Sequence, residues 1–383
     1  MNETIRTAPI AISEKQLDDL KRRLDNVRWP SRETTPDWSQ GVPLAYVQEL
    51  CEYWHHRYDW RRWEKKLNSF SPHKTVINGV GIHFLHVCSP HDNALPMVMT
   101  HGWPGSIVEF HKVIEPLTNP IAFGGKAEDA FHLVCPTLPG YGFSDKPEMP
   151  GWGLEKIAQA WDVLMARLGY DRYVAQGGDW GSAVTHHIAQ SHTKNCIAAH
   201  VNMALALPTP DTMNDLTESE KSALAGLEYY QTTDSGYAKE QSTRPQTLSY
   251  GLADSPSGQL AWIIEKFWAW TDCGEGSERH PEKALTKDEM LDNVMMYWLT
   301  NSGGSSAQLY WESFGNQKRE PISSPMGVSI FPREIFRSSR RWAQKRYQNL
   351  IHFNELDRGG HFAAFEQPDL FVKELRDCFR QLR

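Results

Sequence analysis

The chain lacks the features that mark disulfide-rich, metal-binding and nucleic-acid-binding proteins. Its 383 residues include six cysteines, which are widely scattered, with no CxxC pair and no histidine at metal-ligand spacing. Such cysteines indicate reduced thiols and not a disulfide framework or a metal site. The net charge is −7 and no basic run is present, which argues against a nucleic-acid partner. We therefore expect a protein that needs no metal and no cofactor.

Long apolar segments are also missing. Nowhere do about 18 apolar residues follow one another, the length that a membrane-spanning helix needs. The first six residues contain no apolar run of the kind found in signal peptides. These two absences predict a cytoplasmic protein without a membrane anchor.

Tryptophan, in contrast, is abundant. The chain has 15 tryptophans, and large aromatic side chains serve both in core packing and in the walls of apolar binding pockets. Both uses are compatible with this sequence. A pocket lined by such residues would suit an apolar or aromatic small molecule.

Apolar strand-like runs alternate with helix-like stretches in the first half of the chain. The runs are residues 95–100, 131–135, 172–176 and 196–202. Alternation of this kind predicts a parallel sheet covered by helices. An amphipathic helix beginning behind Ser13, a second helical stretch at about residues 44–58 and a hairpin turning at Asn78-Gly79 come earlier. They indicate an N-terminal segment packed on the sheet.

The pattern changes after about residue 205. Residues 205–320 are helix-like and have no alternating strand pattern, whereas strand-like runs return at residues 326–331 and 350–353, before a helix that starts at about Pro368. This order predicts a helical cap inserted into a sheet domain. The predicted units are the N-terminal wrapping segment (residues 1–90), the sheet domain (residues 91–204 and 321–383) and the cap (residues 205–320).

The segment around Asp179 has the spacing of a nucleophile elbow. A β-branched and aromatic run ends at Gly177-Gly178, and Asp179, Trp180 and a glycine follow before a helix-compatible stretch. This sharp strand-to-helix turn projects one side chain from the top of the sheet in the α/β-hydrolase fold, which is the fold that we predict. Serine is the usual nucleophile at this position. With Asp179 instead, the covalent intermediate is an alkyl ester and the substrate carries an electrophilic sp³ carbon.

His361 is the predicted base for hydrolysis of that ester. It ends the sequence Asp357-Arg-Gly-Gly-His361, just after the last predicted strand, and it follows the nucleophile and the acid in chain order. An aspartate is ionised at neutral pH, so the base is needed for the attacking water and not for the nucleophile. Glu334, three residues past a strand-like run, is the predicted acid that orients His361. Asp357 competes for this role, but it lies only four residues before the histidine.

A second turn can supply backbone donors. His101-Gly102-Trp103-Pro104 directly follows the strand-like run at residues 95–100. Such a turn can aim the Trp103 amide at a developing oxyanion, and the amide of Trp180, the residue after the nucleophile, can join it. We predict that Trp103 and Trp180 form the oxyanion hole. The predicted substrate-binding residues are Trp103, Trp180 and Phe362.

Together these motifs resemble the microsomal-type epoxide hydrolases. The resemblance covers nearly the whole chain and includes the sequences around Trp103, Asp179 and His361. It implies an α/β-hydrolase core with a helical cap, and hydrolysis of an epoxide to a vicinal diol through an aspartyl ester. It also implies two cap tyrosines, matched by Tyr237 and Tyr310, that donate hydrogen bonds to the epoxide oxygen. The alternative candidates for these two tyrosines are Tyr229, Tyr230, Tyr250 and Tyr297.

The implied partner is a small epoxide, apolar or aromatic, and the sequence is compatible with both a monomer and a homodimer. Two other interpretations of Asp179 stay open. A haloalkane or haloacid dehalogenase has the same nucleophile, and the indole N–H of Trp180 suits a halide, but such enzymes usually have asparagine where Trp103 stands. A catalytically inactive hydrolase scaffold would act as a binding module, but it would lack one of the three catalytic groups that this chain retains. A serine esterase would need Ser182, which lies beyond the turn.

Overall fold

The computed structural model of the protein describes residues 4–191, 195–315 and 320–383. Small parts of the three predicted units therefore lie outside the described residues. These parts are residues 1–3 of the N-terminal segment, 192–194 of the sheet domain and 316–319 of the cap.

The strands of the described residues are β1 (Arg6–Thr7), β2 (Pro72–Ile77), β3 (Val80–Val87), β4 (Leu95–Thr100), β5 (Phe131–Pro136), β6 (Tyr173–Gly177), β7 (Cys196–Val201), β8 (Ile322–Ile330) and β9 (Tyr347–Glu355). They form one sheet in the order β1-β2-β3-β5-β4-β6-β7-β8-β9. Neighbours from β5 to β9 in this order are parallel. The predicted parallel sheet is confirmed, and β1, β2 and β3 extend it with antiparallel pairs at one edge.

The hairpin of β2 and β3 forms where the sequence predicts it. Asn78 and Gly79 both have positive φ angles, 49° and 84°. A two-residue hairpin turn of this type needs positive φ at both central positions, and asparagine followed by glycine tolerates it best. The turn therefore sets the register in which Ile77 pairs with Val80.

The helices of the described residues are α1 (Glu14–Asp25), α2 (Leu44–His56), α3 (Trp60–Ser69), α4 (Ile114–Thr118), α5 (Leu154–Arg167), α6 (Trp180–Gln190), α7 (Glu218–Tyr229), α8 (Gly236–Thr243), α9 (Pro245–Asp254), α10 (Pro256–Trp270), α11 (Lys287–Trp298), α12 (Gly303–Ser313), α13 (Arg340–Arg346), α14 (Ala363–Glu366) and α15 (Pro368–Phe379). In the part of the chain that the structure describes, none of them is both long and apolar enough to cross a membrane.

The N-terminal segment contains one helix more than the sequence pattern predicts. Ser13 and Gln16 form a capping box that begins α1, as expected. Helix α3 is missed by the pattern, although Asp59 caps it and its buried residues Trp60, Trp63 and Leu67 have helical spacing. The strong β propensity of tryptophan obscures that spacing in so short a segment.

Helices α7 to α12 occupy the interval between β7 and β8 in which the sequence predicts the cap. A π-helical turn, Tyr230–Asp234, continues α7. Two buried carboxylates attach these helices to their surroundings: Glu220 of α7 is 2.5 Å from Arg341, and Asp292 of α11 is 2.6 Å from the Tyr58 hydroxyl. The cap helices thus contact both the sheet domain and the N-terminal segment, while the boundaries of the three units stay a prediction.

Candidate active site

Asp179 lies at the turn between β6 and α6 in a backbone conformation that is rare for a residue with a side chain. Its φ and ψ angles are 51° and −127°. The neighbouring glycines make this turn sterically feasible. A Cβ atom on Gly177 would lie 2.1 Å from the carbonyl oxygen of Gly181, and one on Gly181 would lie 1.8 Å from that of Thr100. The turn therefore fixes where the Asp179 carboxylate points.

The structure brings Asp179, His361 and Glu334 together. Nδ1 of His361 is 2.7 Å from Oε1 of Glu334, and Nε2 is 3.4 Å from Oδ2 of Asp179. The three residues follow β6, β9 and β8, whose parallel pairing places their C-terminal ends at one edge of the sheet. Asp357, the competing acid, is instead an exposed residue whose carboxylate faces Arg358 at 3.4 Å.

The two glycines before His361 explain how its loop reaches this position. A Cβ atom on Gly360 would lie 2.4 Å from the carbonyl oxygen of Trp270, and Gly359 has a φ angle of 101°. The His361 amide donates a hydrogen bond of 2.9 Å to that same carbonyl. The loop is thereby attached to the end of α10, and the imidazole is buried beside the indole of Trp270 at a centroid distance of 5.1 Å.

The charges around His361 raise its pKa well above the usual value of 6.5. Burial alone would lower the pKa, because it disfavours the imidazolium. The negative charge of Glu334 and the hydrogen bonds to Asp179 and Glu334 outweigh that effect. In the free enzyme the imidazole is therefore protonated and lies between two carboxylates.

The loop at Trp103 holds the other oxygen of the Asp179 carboxylate. The Trp103 amide donates a hydrogen bond of 2.8 Å to Oδ1. Gly102 leaves the required space, since a Cβ atom there would lie 2.2 Å from this oxygen. Trp180 is the first residue of α6, where backbone N–H groups have no acceptor within the helix. A contribution of the Trp180 amide to an oxyanion hole stays a prediction.

Both predicted cap tyrosines lie above these residues. The ring of Tyr237 stacks on Trp103 at 4.7 Å and 7°, and the ring of Tyr310 meets Trp180 edge-on at 4.8 Å. The two tyrosine rings are 5.8 Å apart. Burial raises the pKa of both phenols well above 10, so both are neutral hydrogen-bond donors.

The four alternative candidate tyrosines differ in their surroundings. Tyr230 is buried, and its hydroxyl is 3.0 Å from that of Tyr237. The hydroxyl of Tyr297 donates a hydrogen bond of 2.6 Å to the carbonyl oxygen of Gly105. Tyr229 and Tyr250 are exposed. Of these four, Tyr230 is therefore the one that joins the pair above Asp179.

A cavity of about 570 Å³ reaches the Asp179 carboxylate from the cap side. Its lining includes Trp180, Tyr237 and Tyr310 together with leucine, alanine and phenylalanine side chains. Two residues predicted to bind substrate do not line this cavity. Trp103 lies beneath Tyr237, and Phe362 packs against Phe267 at a centroid distance of 4.8 Å. Phe362 is thus packed in the core, and a contact of Trp103 or Phe362 with substrate stays a prediction.

A much smaller space adjoins Asp179 and His361 from the sheet side. It has a volume of about 10 Å³, and its lining includes Glu109, Gln176 and Asn202. These three polar residues carry no signal in the sequence, because they lie in apolar runs without a motif. No group of three or more histidine, cysteine, aspartate or glutamate side chains that could hold a metal ion is found among the described residues.

Comparison with known proteins places this chain in a family. Residues 5–110 match the family model described as the epoxide hydrolase N terminus, and residues 96–251 match the alpha/beta hydrolase fold. A protein of Stigmatella aurantiaca, whose name assigns it provisionally to the epoxide hydrolases, is 56% identical, with 98% of this chain and 84% of the relative covered. Epoxide hydrolase 1 of Oryctolagus cuniculus is 34% identical, with coverage of 98% and 88%. This chain belongs to the epoxide hydrolase family.

A solved epoxide hydrolase has the same architecture. The structure of the Aspergillus niger epoxide hydrolase matches with a TM-score of 0.89 at 32% identity and covers 100% of this chain and 98% of its own. The match confirms the predicted α/β-hydrolase fold.

Replacement of Glu334 by glutamine tests the electrostatic part of this geometry. Because the Glu334 charge raises the pKa of His361, E334Q is expected to lower that pKa while the shape of the side chain is retained. The measurement is a pH titration of the His361 ring signals by NMR. Glu355→Gln, which removes an exposed carboxylate at the end of β9, is the matched control. An unchanged His361 pKa in E334Q would contradict the assignment.

Proposed function

We propose that this member of the epoxide hydrolase family opens an epoxide by attack of the Asp179 carboxylate and then hydrolyses the resulting ester. The observation that carries the proposal is the position of that carboxylate. One of its oxygens accepts from the Trp103 amide, and the other lies 3.4 Å from the imidazole of His361. Two neutral phenols, Tyr237 and Tyr310, line the same cavity as this carboxylate.

In the first half-reaction, Oδ2 of Asp179 forms a bond to one epoxide carbon, and the bond between that carbon and the epoxide oxygen breaks. The oxygen leaves as an alkoxide and takes a proton from the hydroxyl of Tyr237 or Tyr310. A neutral phenol is a suitable donor because the alkoxide is far more basic than a phenolate. The products are an alkyl ester on Asp179, a hydroxyl group on the neighbouring carbon and a tyrosinate.

Before the second half-reaction, the proton of the His361 imidazolium passes through solvent to the tyrosinate. The neutral imidazole then takes a proton from water, and the water oxygen forms a bond to the carboxyl carbon of Asp179. The Trp103 amide stabilises the oxyanion of the tetrahedral intermediate. The acyl carbon–oxygen bond then breaks, and the departing alkoxide takes the proton of the new carboxyl group to complete the diol. His361 keeps the proton that it took from water, so that the enzyme regains its starting state of imidazolium, carboxylate and neutral phenols.

Formation of the ester lowers the pKa of His361, which is the change that the second half-reaction requires. In the free enzyme, Glu334 and Asp179 both favour the imidazolium. The ester carries no charge, so alkylation removes the contribution of Asp179, while burial continues to disfavour the charged imidazole. The pKa of His361 falls, and the imidazole becomes a base at the stage at which a base is needed.

The walls of the cavity favour an apolar epoxide. Their side chains are mostly hydrophobic and aromatic, and a volume of about 570 Å³ accommodates a substituted aromatic or long aliphatic group. This supports an apolar or aromatic epoxide as the substrate class.

One observation favours a second candidate, a dehalogenase. The indole Nε1 of Trp180 is buried without a hydrogen-bond partner among the described residues, and Trp180 lines the cavity. A halide leaving group would satisfy this donor. The paired phenols above Asp179 instead match an oxygen leaving group that must be protonated. A panel of epoxides with one haloalkane, monitored for diol and for halide, distinguishes the two candidates.

A single turnover in ¹⁸O-labelled water tests the covalent mechanism. With enzyme in excess over epoxide, the label is expected in the Asp179 carboxylate and not in the first diol, because the diol takes its second oxygen from the unlabelled carboxylate. Mass spectrometry of the peptide that contains Asp179 and of the diol measures both. Label in the first diol would mean that water attacks the epoxide directly.

Replacement of both cap tyrosines by phenylalanine tests the proton donors. Tyr237→Phe combined with Tyr310→Phe is expected to slow ester formation by about 100-fold or more, since proton donation to the leaving oxygen is lost. Stopped-flow tryptophan fluorescence under single-turnover conditions measures this rate. Tyr250→Phe, at an exposed position of the cap, is the control. A wild-type rate in the double variant would exclude both tyrosines as donors.

A further inference from the structure

The small space beside the catalytic pair has room for one water molecule. Its volume is about 10 Å³, close to the minimum that a single water occupies. Asp179 borders both this space and the large cavity, but no residue of the cap helices borders the small one. A water held here would therefore approach the Asp179 carboxyl group from the sheet side, with His361 as a neighbour.

Gln176 provides a buried acceptor without a partner at this space. Its Nε2 donates a hydrogen bond of 3.0 Å to Oδ1 of Asn202. Its Oε1 is buried and has no donor among the described residues. A buried polar atom left without a partner is costly, and a bound water would satisfy it.

Glu109 borders the same space with a carboxyl group in a constrained position. It lies on the 3₁₀ turn Ile107–Phe110, and its Oε1 occupies the volume next to Gly105, where a Cβ atom would lie only 1.4 Å away. The Ser106 amide donates a hydrogen bond to it. Glycine at position 105 is therefore required for the carboxyl group to reach this place.

Burial raises the pKa of Glu109 to about 8. The positive charge of His361 lowers the pKa, and the negative charges of Asp179 and Glu366 raise it. Tyr297, from α11, also faces Glu109, and its phenol is neutral because burial raises its own pKa. At neutral pH the carboxyl group is mostly protonated, and it ionises as the pH rises through about 8.

We propose that the carboxyl group of Glu109 and the amide of Gln176 position the water that hydrolyses the Asp179 ester. The inference rests on the ester mechanism proposed above. The water donates one hydrogen to Nε2 of His361 and the other to Oε1 of Gln176. It accepts from the Glu109 hydroxyl with one lone pair and keeps the second for attack on the Asp179 carboxyl carbon. As the new bond forms, the first proton moves to His361, as in the second half-reaction.

The uncharged state of Glu109 matters for this step. Attack places negative charge on the carbonyl oxygen of the ester, close to Glu109, and a second negative charge there would repel it. An ionised Glu109 would also stabilise the imidazolium of His361. His361 would then stay protonated and could not act as the base. Glu109 is thus a positioning residue whose effect should fall on the second half-reaction alone.

Two variants of Glu109 test the proposal. Single-turnover fluorescence separates the rate of ester formation from the rate of ester hydrolysis. Glu109→Leu is expected to form the ester within about twofold of the wild-type rate and to hydrolyse it about 10- to 100-fold more slowly, as expected when a reacting group loses its position. Glu109→Gln keeps an N–H donor and should hydrolyse the ester at close to the wild-type rate at pH 7.

The pH profile supplies a readout that a structural role would not change. In the wild type, hydrolysis should decline at alkaline pH, where Glu109 ionises. In E109Q this decline should be absent, because the amide does not ionise. Glu155→Gln, at an exposed site on α5, should keep the wild-type profile.

The outcomes that overturn the inference differ from those that overturn the ester mechanism. Equal slowing of both half-reactions in E109L, or an alkaline decline that persists in E109Q, would mean that Glu109 does not position the water. Unchanged hydrolysis in E109L would mean the same. Absence of an ester phase in the wild-type enzyme would instead contradict the mechanism on which the inference rests.

Discussion

The position of one carboxylate, that of Asp179, governs the rest of the site. The backbone at this residue has a φ angle of 51°, and glycines at positions 177 and 181 are needed for the turn to exist. The turn directs one oxygen at the Trp103 amide and the other at His361. A carboxylate held in this way borders both the large cavity on the cap side and the small space on the sheet side.

The loop at Trp103 contacts both Asp179 of the sheet domain and Tyr237 of the cap. Its backbone holds Asp179, and its indole supports the ring of Tyr237 by stacking. On the cap side, the buried ammonium of Lys266 lies 4.7 Å from the centre of the Tyr237 ring and 2.7 Å from Asp234. The phenol is therefore held between an aromatic residue of the sheet domain and an ion pair of the cap. Such fixed positions reduce the reorganisation that the reaction requires.

Sequence patterns predicted the parts of the site that depend on backbone shape. Asp179 and His361 follow glycines that the structure requires sterically, and steric requirements of this kind leave a local signature. The choice of Glu334 over Asp357 followed from the order of strands, which a pattern of apolar runs conveys. The same pattern of apolar runs predicted most strands of the sheet and the helices between them.

Other parts depend on contacts between distant segments and leave no such signature. Glu109 is an ordinary carboxylate in the sequence, and only the folded chain places it beside His361 at the small space. Phe362 follows the histidine directly, yet its ring packs in the core against Phe267. The pairing of Tyr230 with Tyr237 likewise arises from the π-helical turn after α7, and the helix propensities of single residues do not predict such a turn.

The most direct test of the central claim is the intact mass of His361→Gln after mixing with an epoxide. Without the base, the ester on Asp179 should form and persist, so that the protein gains the mass of one substrate molecule. Peptide mapping should place the added mass on the peptide that contains Asp179. An unmodified protein that still produces diol would contradict the account, as would an adduct on any other residue.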